Sequence, residues 1–307
     1  MHVREALSRL MRTEQAGDSQ YILVSVGTST QVLQSPTEGP EAVLKAVLNK
    51  DFEKIFLGGR SGSPGADVLD FRRTLDRARS ACDHTDPECV PLNRALPLEA
   101  NQIDSRDRVI TIGFLSQFRS LIEALARGTG RRSVVLLSDG FHLVPGREAF
   151  ELLAAYFPEM ASIKLSTTDR MPDLEPVLQL AANSNIPIYT VDSRGLCAST
   201  FYDASNPCGQ AAAMPGVLRA MDDNSSAAGD TLSEIAAATG GISFQNNNNI
   251  LNGLERAFAD GRQYYMLAYV PSSAESLGQC ELSMVRACGA SFSIYMQITS
   301  KAAMLGQ

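Results

Sequence analysis

The sequence predicts an α/β protein whose mostly parallel sheet is covered by helices on both faces, in a three-layer, Rossmann-like arrangement. Segments with the apolar spacing of helices alternate with short strand-like segments from residue 1 to about residue 262. Two of the latter, SVVLLS at 133–138 and IPIYTVD at 186–192, are apolar at most positions, which is typical of strands covered on both faces. Near the end, FSIYMQI at 292–298 alternates apolar with polar residues, and this predicts a C-terminal antiparallel strand pair.

The first third of the chain is predicted from local patterns. Two strands are expected at 21–27 and 30–36, and Pro40 predicts the start of a helix. Residues 66–128 predict a helical hairpin, inserted in the fold, with an irregular proline-containing connector at 83–103. The opening helix is predicted by residues that share one face at helical spacing: Val3, Ala6, Leu7, Leu10 and Met11.

The second half is predicted to contain four more helices and a long loop at about 193–229. Helices are expected near 147–157 and 174–184. Thr231 and Glu234 have the spacing of a capping box, which predicts a helix start immediately after the loop. The four asparagines at 246–249 predict the cap of the following helix.

Charge and hydropathy exclude two classes of partner. The 307-residue chain has a net charge of −7 and no basic stripe, so nucleic acid and anionic lipid are not expected to bind it. No run reaches the roughly 18 to 20 apolar residues of a membrane span. The start, MHVREALSRL, lacks the apolar core of a secretory signal.

The six cysteines nevertheless favour an extracytoplasmic or secreted protein, because an even number in loop-like sequence is typical of disulfides. The disulfide candidates are Cys82 with Cys89 and Cys197 with Cys208. Cys280 and Cys288 lie in extended sequence too far apart to pair with each other, so they pair elsewhere or stay free. The segment CDHTDPEC also offers zinc ligands, but its spacing matches no common zinc motif.

Several segments, taken in order, resemble the von Willebrand factor type A domain and a bacterial group of proteins related to it, described chiefly from acidobacteria. The matching segments are VREALSRLMRTEQAGDSQYILVSVGTSTQVLQSPT, GRRSVVLLSDGF, IPIYTVDSRGL, TLSEIAAATGGISF and LERAFADGRQYYMLAYVPS. They span most of the chain apart from 83–103 and 198–229, and the resemblance implies a single domain over about 1–300. It also implies a Rossmann-like sheet with strand order 3-2-1-4-5-6.

One expected part of that family is absent. Its first strand ends in an Asp-x-Ser-x-Ser motif that helps to hold a divalent cation, and this chain begins at the helix that should follow. The resemblance places the missing strand between those at 21–27 and 133–138. Without this strand, the inner backbone groups of its two neighbours would have no hydrogen-bond partners, and each unpaired buried group costs about 1 to 3 kcal/mol. We therefore hypothesise that Met1 is an internal methionine of a longer protein, whose upstream part contains the strand.

The resemblance implies a site at the carboxyl ends of the strands, where open α/β sheets bind ligands. Asp139 would reach a magnesium or calcium ion there, with Ser138 as a weaker candidate, although the partner motif is missing. The alternative is that Asp139 caps the next helix or closes the turn with Gly140. The rim on which a partner would bind is expected to include Thr28, Ser29, His142 and Asp192.

These observations predict a non-catalytic module that binds a protein or surface ligand at the strand-end rim, and the resemblance adds a degenerate metal site as one means of binding. Two alternatives stay open. One is a metal-dependent hydrolase that uses Asp139 and Asp192, which several convergent acids or a histidine near Asp139 would favour. The other is a structural module of an envelope or secretion assembly, marked by a large apolar patch. The sequence predicts no particular oligomeric state.

Overall fold

A computed structural model describes residues 2–14, 19–52, 64–81, 90–128, 130–160, 169–193, 215–262, 266–271 and 292–297. The fold is mixed α/β and mostly helical. Its contacts divide the chain into two compact units, 1–257 and 258–307. In chain order the described elements are α1 (His2–Thr13), β1 (Gln20–Val26), β2 (Thr30–Glu38), α2 (Glu41–Leu48), α3 (Pro64–Ala81), α4 (Val90–Ala126), β3 (Val134–Ser138), α5 (Arg147–Tyr156), a 3-10 turn (Pro158–Met160), α6 (Met171–Asn183), β4 (Ile188–Asp192), α7 (Pro215–Thr239), β5 (Ser243–Phe244), α8 (Ile250–Arg262), β6 (Met266–Pro271) and β7 (Phe292–Gln297).

The N-terminal elements confirm the predicted helix and strand pair. All five apolar residues of the predicted α1 face are buried, the least exposed being Leu10 at 1%. Strands β1 and β2 form an antiparallel hairpin whose register brings Val26 opposite Thr30. Helix α2 begins after Pro40, as predicted, and buries Val43 and Val47.

Helices α3 and α4 form the predicted helical pair. The prediction of an irregular connector at 83–103 is wrong over most of that range. Helix α4 already begins at Val90 and continues through Pro97. A proline inside a helix removes one backbone hydrogen bond and usually ends the helix. Here the carbonyl of Pro97 accepts a bond from the Asn101 side chain, and Leu96 and Ala100 are buried on either side of the proline. Packing of this buried face outweighs the local penalty.

The described strands of the first unit form two separate hydrogen-bonded sheets. One is the β1–β2 hairpin, and the other is a parallel sheet of order β3-β4-β5. Strand β4 is buried at every position, whereas β3 is half-exposed along its whole length. This difference follows from the pairing, because β4 has a neighbour on each side and β3 pairs with β4 alone among the described strands.

The predicted loop at 193–229 is wrong from Pro215 onward, because α7 is a single helix from Pro215 to Thr239. The predicted capping box is therefore wrong as well: Thr231 lies inside the helix, where its hydroxyl donates to the carbonyl of Ala227. The next cap is confirmed. The side chain of Asn249 accepts a bond from the backbone N–H of Asn252 in the first turn of α8.

Helix α4 passes through two hydrophobic cores of the first unit. Its N-terminal half packs with α3 and α5 through Leu96, Ala100 and Ile103. Its C-terminal half packs with α6 and β4 through Leu115, Phe118 and Ile122. By length and composition alone, the stretch Arg94–Ala126 of this helix could cross a membrane. A core helix or a signal sequence passes the same test, so a single helix of this kind is weak evidence for a membrane span; 22% of its apolar window is buried.

The second unit contains an antiparallel strand pair, in which FSIYMQ forms a strand as predicted. Strand β7 pairs with β6 in a register that places Phe292 opposite Pro271 and Gln297 opposite Met266. The sequence predicted a closing hairpin between FSIYMQI and the segment CELSMV before it, and that segment lies outside the described residues.

Candidate functional site

The carboxyl ends of β3 and β4 lie side by side, as predicted for the site. Their parallel register pairs Ser138 with Asp192, the last residue of each strand. The backbone N–H of Ser193 then donates to the carbonyl of Ser138 over 2.9 Å. Asp192 is only 3% exposed, so its carboxylate belongs to the interior of this edge.

The sequence Ser138-Asp139-Gly140 forms the turn that follows β3, and Ser138 and Gly140 stabilise this turn. The hydroxyl of Ser138 accepts a bond from the Gly140 N–H over 3.1 Å. Gly140 has φ +82°, and a Cβ built on it would stand 2.4 Å from the carbonyl oxygen of Ala228 in α7. Asp139 does not cap the next helix, because α5 begins at Arg147 and its cap position is Gly146.

The segment 139–146, called here the rim loop, is anchored to three different helices. Gly140 packs on α7 at Ala228, and Phe141 contacts Phe114 of α4 with ring centroids 5.0 Å apart. The carbonyl of Leu143 accepts the N–H of Arg170 at the start of α6. The half-buried His142 lies between two of these anchors and the half-buried Asp139 directly precedes the first, so the backbone of both residues is held in place.

The turn 27–29 between β1 and β2, called here the rim turn, meets the same part of α4. A Cβ on Gly113 would lie 3.1 Å from Thr28, so the absence of a side chain at Gly113 lets the turn approach the helix. The hydroxyl of Thr30 donates to the side-chain oxygen of Gln117 one turn further along. Gly113 and Phe114 are consecutive in α4, so the rim turn and the rim loop contact the same turn of this helix, and Thr28 and Ser29 are exposed.

His142 is not a plain surface residue, because a carboxylate lies beside its half-buried ring. Its Nε2 is 3.8 Å from Oε2 of Glu148, and the two side chains are 20% and 26% exposed. Burial, reinforced by the negative charges of Asp107 and Glu151, raises the pKa of Glu148 to about 7. A carboxyl group that titrates near neutral pH therefore lies beneath the rim loop.

Two further acids in this region were not predicted from the sequence. Asp104 and Asp107 of α4 are 5% and 6% exposed, and each has one carboxyl oxygen without a hydrogen-bond partner. Burial is also the main cause that raises the pKa of Asp107 to about 6. Their sequence signal was available: the two acids continue the buried face of α4, where carboxyl groups are rare unless paired.

The described residues at the rim offer few ligands for the divalent cation that the family resemblance implies. Magnesium takes six ligands and calcium six to eight, mostly oxygens. Within the described residues no group of three or more His, Cys, Asp or Glu side chains is placed to hold a metal ion. The Ser138 hydroxyl is already used in the turn, and Asp192 is buried. The binding proposed below therefore does not depend on a cation.

The disulfide candidates Cys82, Cys89, Cys197 and Cys208 lie outside the described residues, as do Cys280 and Cys288.

No family model, no curated protein and no solved structure matches the chain.

Proposed function

We propose that this chain is a non-catalytic binding module that recognises a protein partner at the surface formed by the rim turn and the rim loop. The observation that carries the proposal is the adjacent placement of these two segments on one turn of α4, at Gly113 and Phe114. A surface assembled from separate parts of the chain and held by several helices is suited to recognition, since little conformational entropy is lost when it binds.

The chemistry of this surface favours a partner that offers hydrogen-bond donors and basic side chains. Thr28 and Ser29 supply exposed hydroxyls, and Asp139 supplies a half-buried carboxylate. The net charge of −7 attracts a basic surface at long range and so raises the rate of encounter.

The hydrolase alternative receives less support from the same geometry. Asp104 and Asp107 converge near the loop that carries His142, but both carboxyl groups are almost completely buried beneath that loop. A catalytic acid or base must come within hydrogen-bond reach of a proton on the substrate. These acids therefore fit the support of the loop better than contact with a substrate.

The order of elements supports the finer proposal of a three-layer sheet of the von Willebrand A type. Val26 at the end of β1 packs against the same core as Val134 and Leu136 of β3. Strands β1 and β3 thus contribute to one core, although they are not hydrogen-bonded to each other.

Site-specific photo-cross-linking in the cells that produce the protein tests the binding surface. A photo-reactive amino acid is placed at Ser29, at His142, or at Asn183 as the control. Asn183 is exposed and lies just before β4, at the opposite edge of the parallel sheet. We expect Ser29 and His142 to capture the same protein, identified by mass spectrometry, and Asn183 not to capture it.

Two further arms define the chemistry of binding. The Asp139→Ala substitution should reduce capture from Ser29 at least about tenfold, the equivalent of one lost charged hydrogen bond of about 1.4 kcal/mol. Addition of a chelator should leave capture unchanged. Equal capture from Asn183, or different proteins captured from Ser29 and His142, would count against a single rim surface; capture abolished by the chelator would restore the cation mechanism.

A further inference from the structure

Helix α4 has an exposed face with apolar side chains, opposite the face that enters the two cores. Three exposed large apolar residues lie on this one helix: Leu98 is 63% exposed, Val109 66% and Ile112 43%. Exposed apolar side chains that follow one another along a surface mark an interaction site, whereas single ones need no explanation.

The exposed face has the spacing of a seam between two helices. Six exposed residues follow one another at alternating intervals of four and three, as in a coiled coil, and are called here the α4 stripe: Leu98, Gln102, Ser105, Val109, Ile112 and Ser116. None of the six carries a charge. By contrast, the surfaces of α1, α3 and α5 each carry an ion pair between neighbouring turns.

The two halves of the α4 stripe differ in shape. On the C-terminal half the apolar side chains of Val109 and Ile112 project into solvent. Along the N-terminal half there is an open groove of about 600 Å³, lined among the described residues by Leu98, Asn101, Gln102, Ser105 and Arg106. One helix face therefore carries both a hollow and the apolar side chains that could fill it.

We propose that the α4 stripe is the interface of a symmetric dimer, in which α4 of a second copy packs antiparallel against it. A two-fold axis midway between Ser105 and Val109 sets each large apolar side chain against a small or polar one: Leu98 against the partner's Ser116, Val109 against the partner's Ser105, and Ile112 against the partner's Gln102. The projecting half of each copy then fills the groove of the other. A symmetric interface uses the same surface twice, so this complementarity within one stripe favours a second copy over a different protein.

The size of the α4 stripe fits a reversible dimer. At 1.5 Å per residue, the distance along the helix from Leu98 to Ser116 is about 27 Å. A helix with its side chains is about 10 Å wide, so the pairing buries on the order of 1,000 Å² of surface from the two copies together. This area is near the lower limit for specific interfaces. We therefore expect monomer and dimer to exchange at micromolar concentrations.

Sedimentation velocity of the whole chain, from about 1 to about 300 µM protein in about 0.15 M salt, tests the dimer. The weight-average mass should rise with concentration toward that of two chains. Val109→Glu would bury a charge in the seam and should raise the dissociation constant at least about 30-fold. The control Ile242→Glu places the same charge on an exposed apolar residue outside the stripe and should dimerise as the parent does. Circular dichroism should show both variants to be folded, since both side chains are exposed.

A mixture of two variants tests the orientation. Ser105→Lys and Val109→Glu should each dimerise weakly alone. In an antiparallel pair the introduced lysine of one variant faces the introduced glutamate of the other, so the mixture should associate at least about ten times more tightly than either variant alone. In a parallel pair these two positions do not face each other, and no recovery is expected.

A parent chain that stays monomeric over the whole range, or Val109→Glu that dimerises as the parent does, would overturn the dimer. Absence of recovery in the mixture would overturn the antiparallel arrangement. A monomeric parent that co-sediments with phosphatidylcholine vesicles, with this binding lost in Val109→Glu, would also overturn the dimer and would assign the α4 stripe to a lipid surface. The proposed function is independent of these results, because its cross-linking sites lie on the rim turn and the rim loop.

Discussion

Replacement of Gly140 by alanine is expected to destabilise the first unit by about 3 kcal/mol. The left-handed backbone at Gly140 costs a residue with a Cβ about 1 to 2 kcal/mol. The added Cβ would also stand 2.4 Å from the carbonyl oxygen of Ala228, and an overpacked backbone contact adds about 1 to 3 kcal/mol. Urea denaturation followed by circular dichroism measures the change.

The matched control is Gly130→Ala. Gly130 has nearly the same φ, +79°, but a Cβ there would meet nothing within 4 Å. We expect a loss of about 1 kcal/mol, since only the backbone strain remains. Equal losses for the two variants would mean that the approach of α7 to the rim loop is not real.

The free energy of unfolding is expected to fall as the pH rises from about 4.5 to about 7. Burial raises the pKa of Glu148 to about 7 and that of Asp107 to about 6, whereas both groups ionise at lower pH in the unfolded chain. The native protein therefore holds protons that the unfolded chain has already released, so stability is lost as the pH rises through this window. The full shift would correspond to about 3 kcal/mol for one group; partial exposure of Glu148 reduces the expected loss to about 2 kcal/mol.

Denaturation of Glu148→Gln at pH 5 and pH 8 isolates this contribution. The variant should be more stable than the parent protein at pH 8 and should show a smaller change between the two pH values. Glu123→Gln should follow the parent, because Glu123 lies on the exposed part of α4 beside Arg119. The parent's free energy of unfolding could instead rise from pH 5 to pH 7, with Glu148→Gln as stable as the parent at both pH values. That result would show that Glu148 is not buried as described.

Elements with a strong apolar period and a local cap could be predicted from the sequence. The buried face of α1 is the one that its spacing predicts, and Asn249 caps α8 as expected. Strand β4 is covered on both faces, as its apolar composition predicts. In each case the local preference and the tertiary environment favour the same structure.

The errors occur where tertiary packing outweighs a local signal. Pro97 predicted an interruption, yet the burial of Leu96 and Ala100 keeps α4 continuous through it. Gly229 predicted the end of a loop, yet it lies inside α7, next to Ala228, whose carbonyl oxygen Gly140 approaches. A reader of the sequence alone has no means to identify such a contact, because its two partners are 88 positions apart.

The contacts of the candidate site were likewise predictable only in part. Adjacency of the Ser138 and Asp192 strand ends follows from the parallel arrangement of their strands and was expected. The contact of Thr28 with Gly113 was not, since it depends on where a long helix crosses the hairpin. Asp104 and Asp107 were not predicted, since they lie on a helix and not at a strand end, although acids on an apolar helix face are themselves a signal.

The central claim is that the rim turn and the rim loop form one surface on α4, and nuclear Overhauser contacts test it most directly. Samples with labelled threonine methyl groups, glycine and phenylalanine should show a contact between Thr28 and Gly113 and another between the rings of Phe114 and Phe141. Both contacts are expected in the same protein. If the ring contact is present and the Thr28 contact is absent, the β1–β2 hairpin does not lie beside the rim loop, and the proposed binding surface is contradicted.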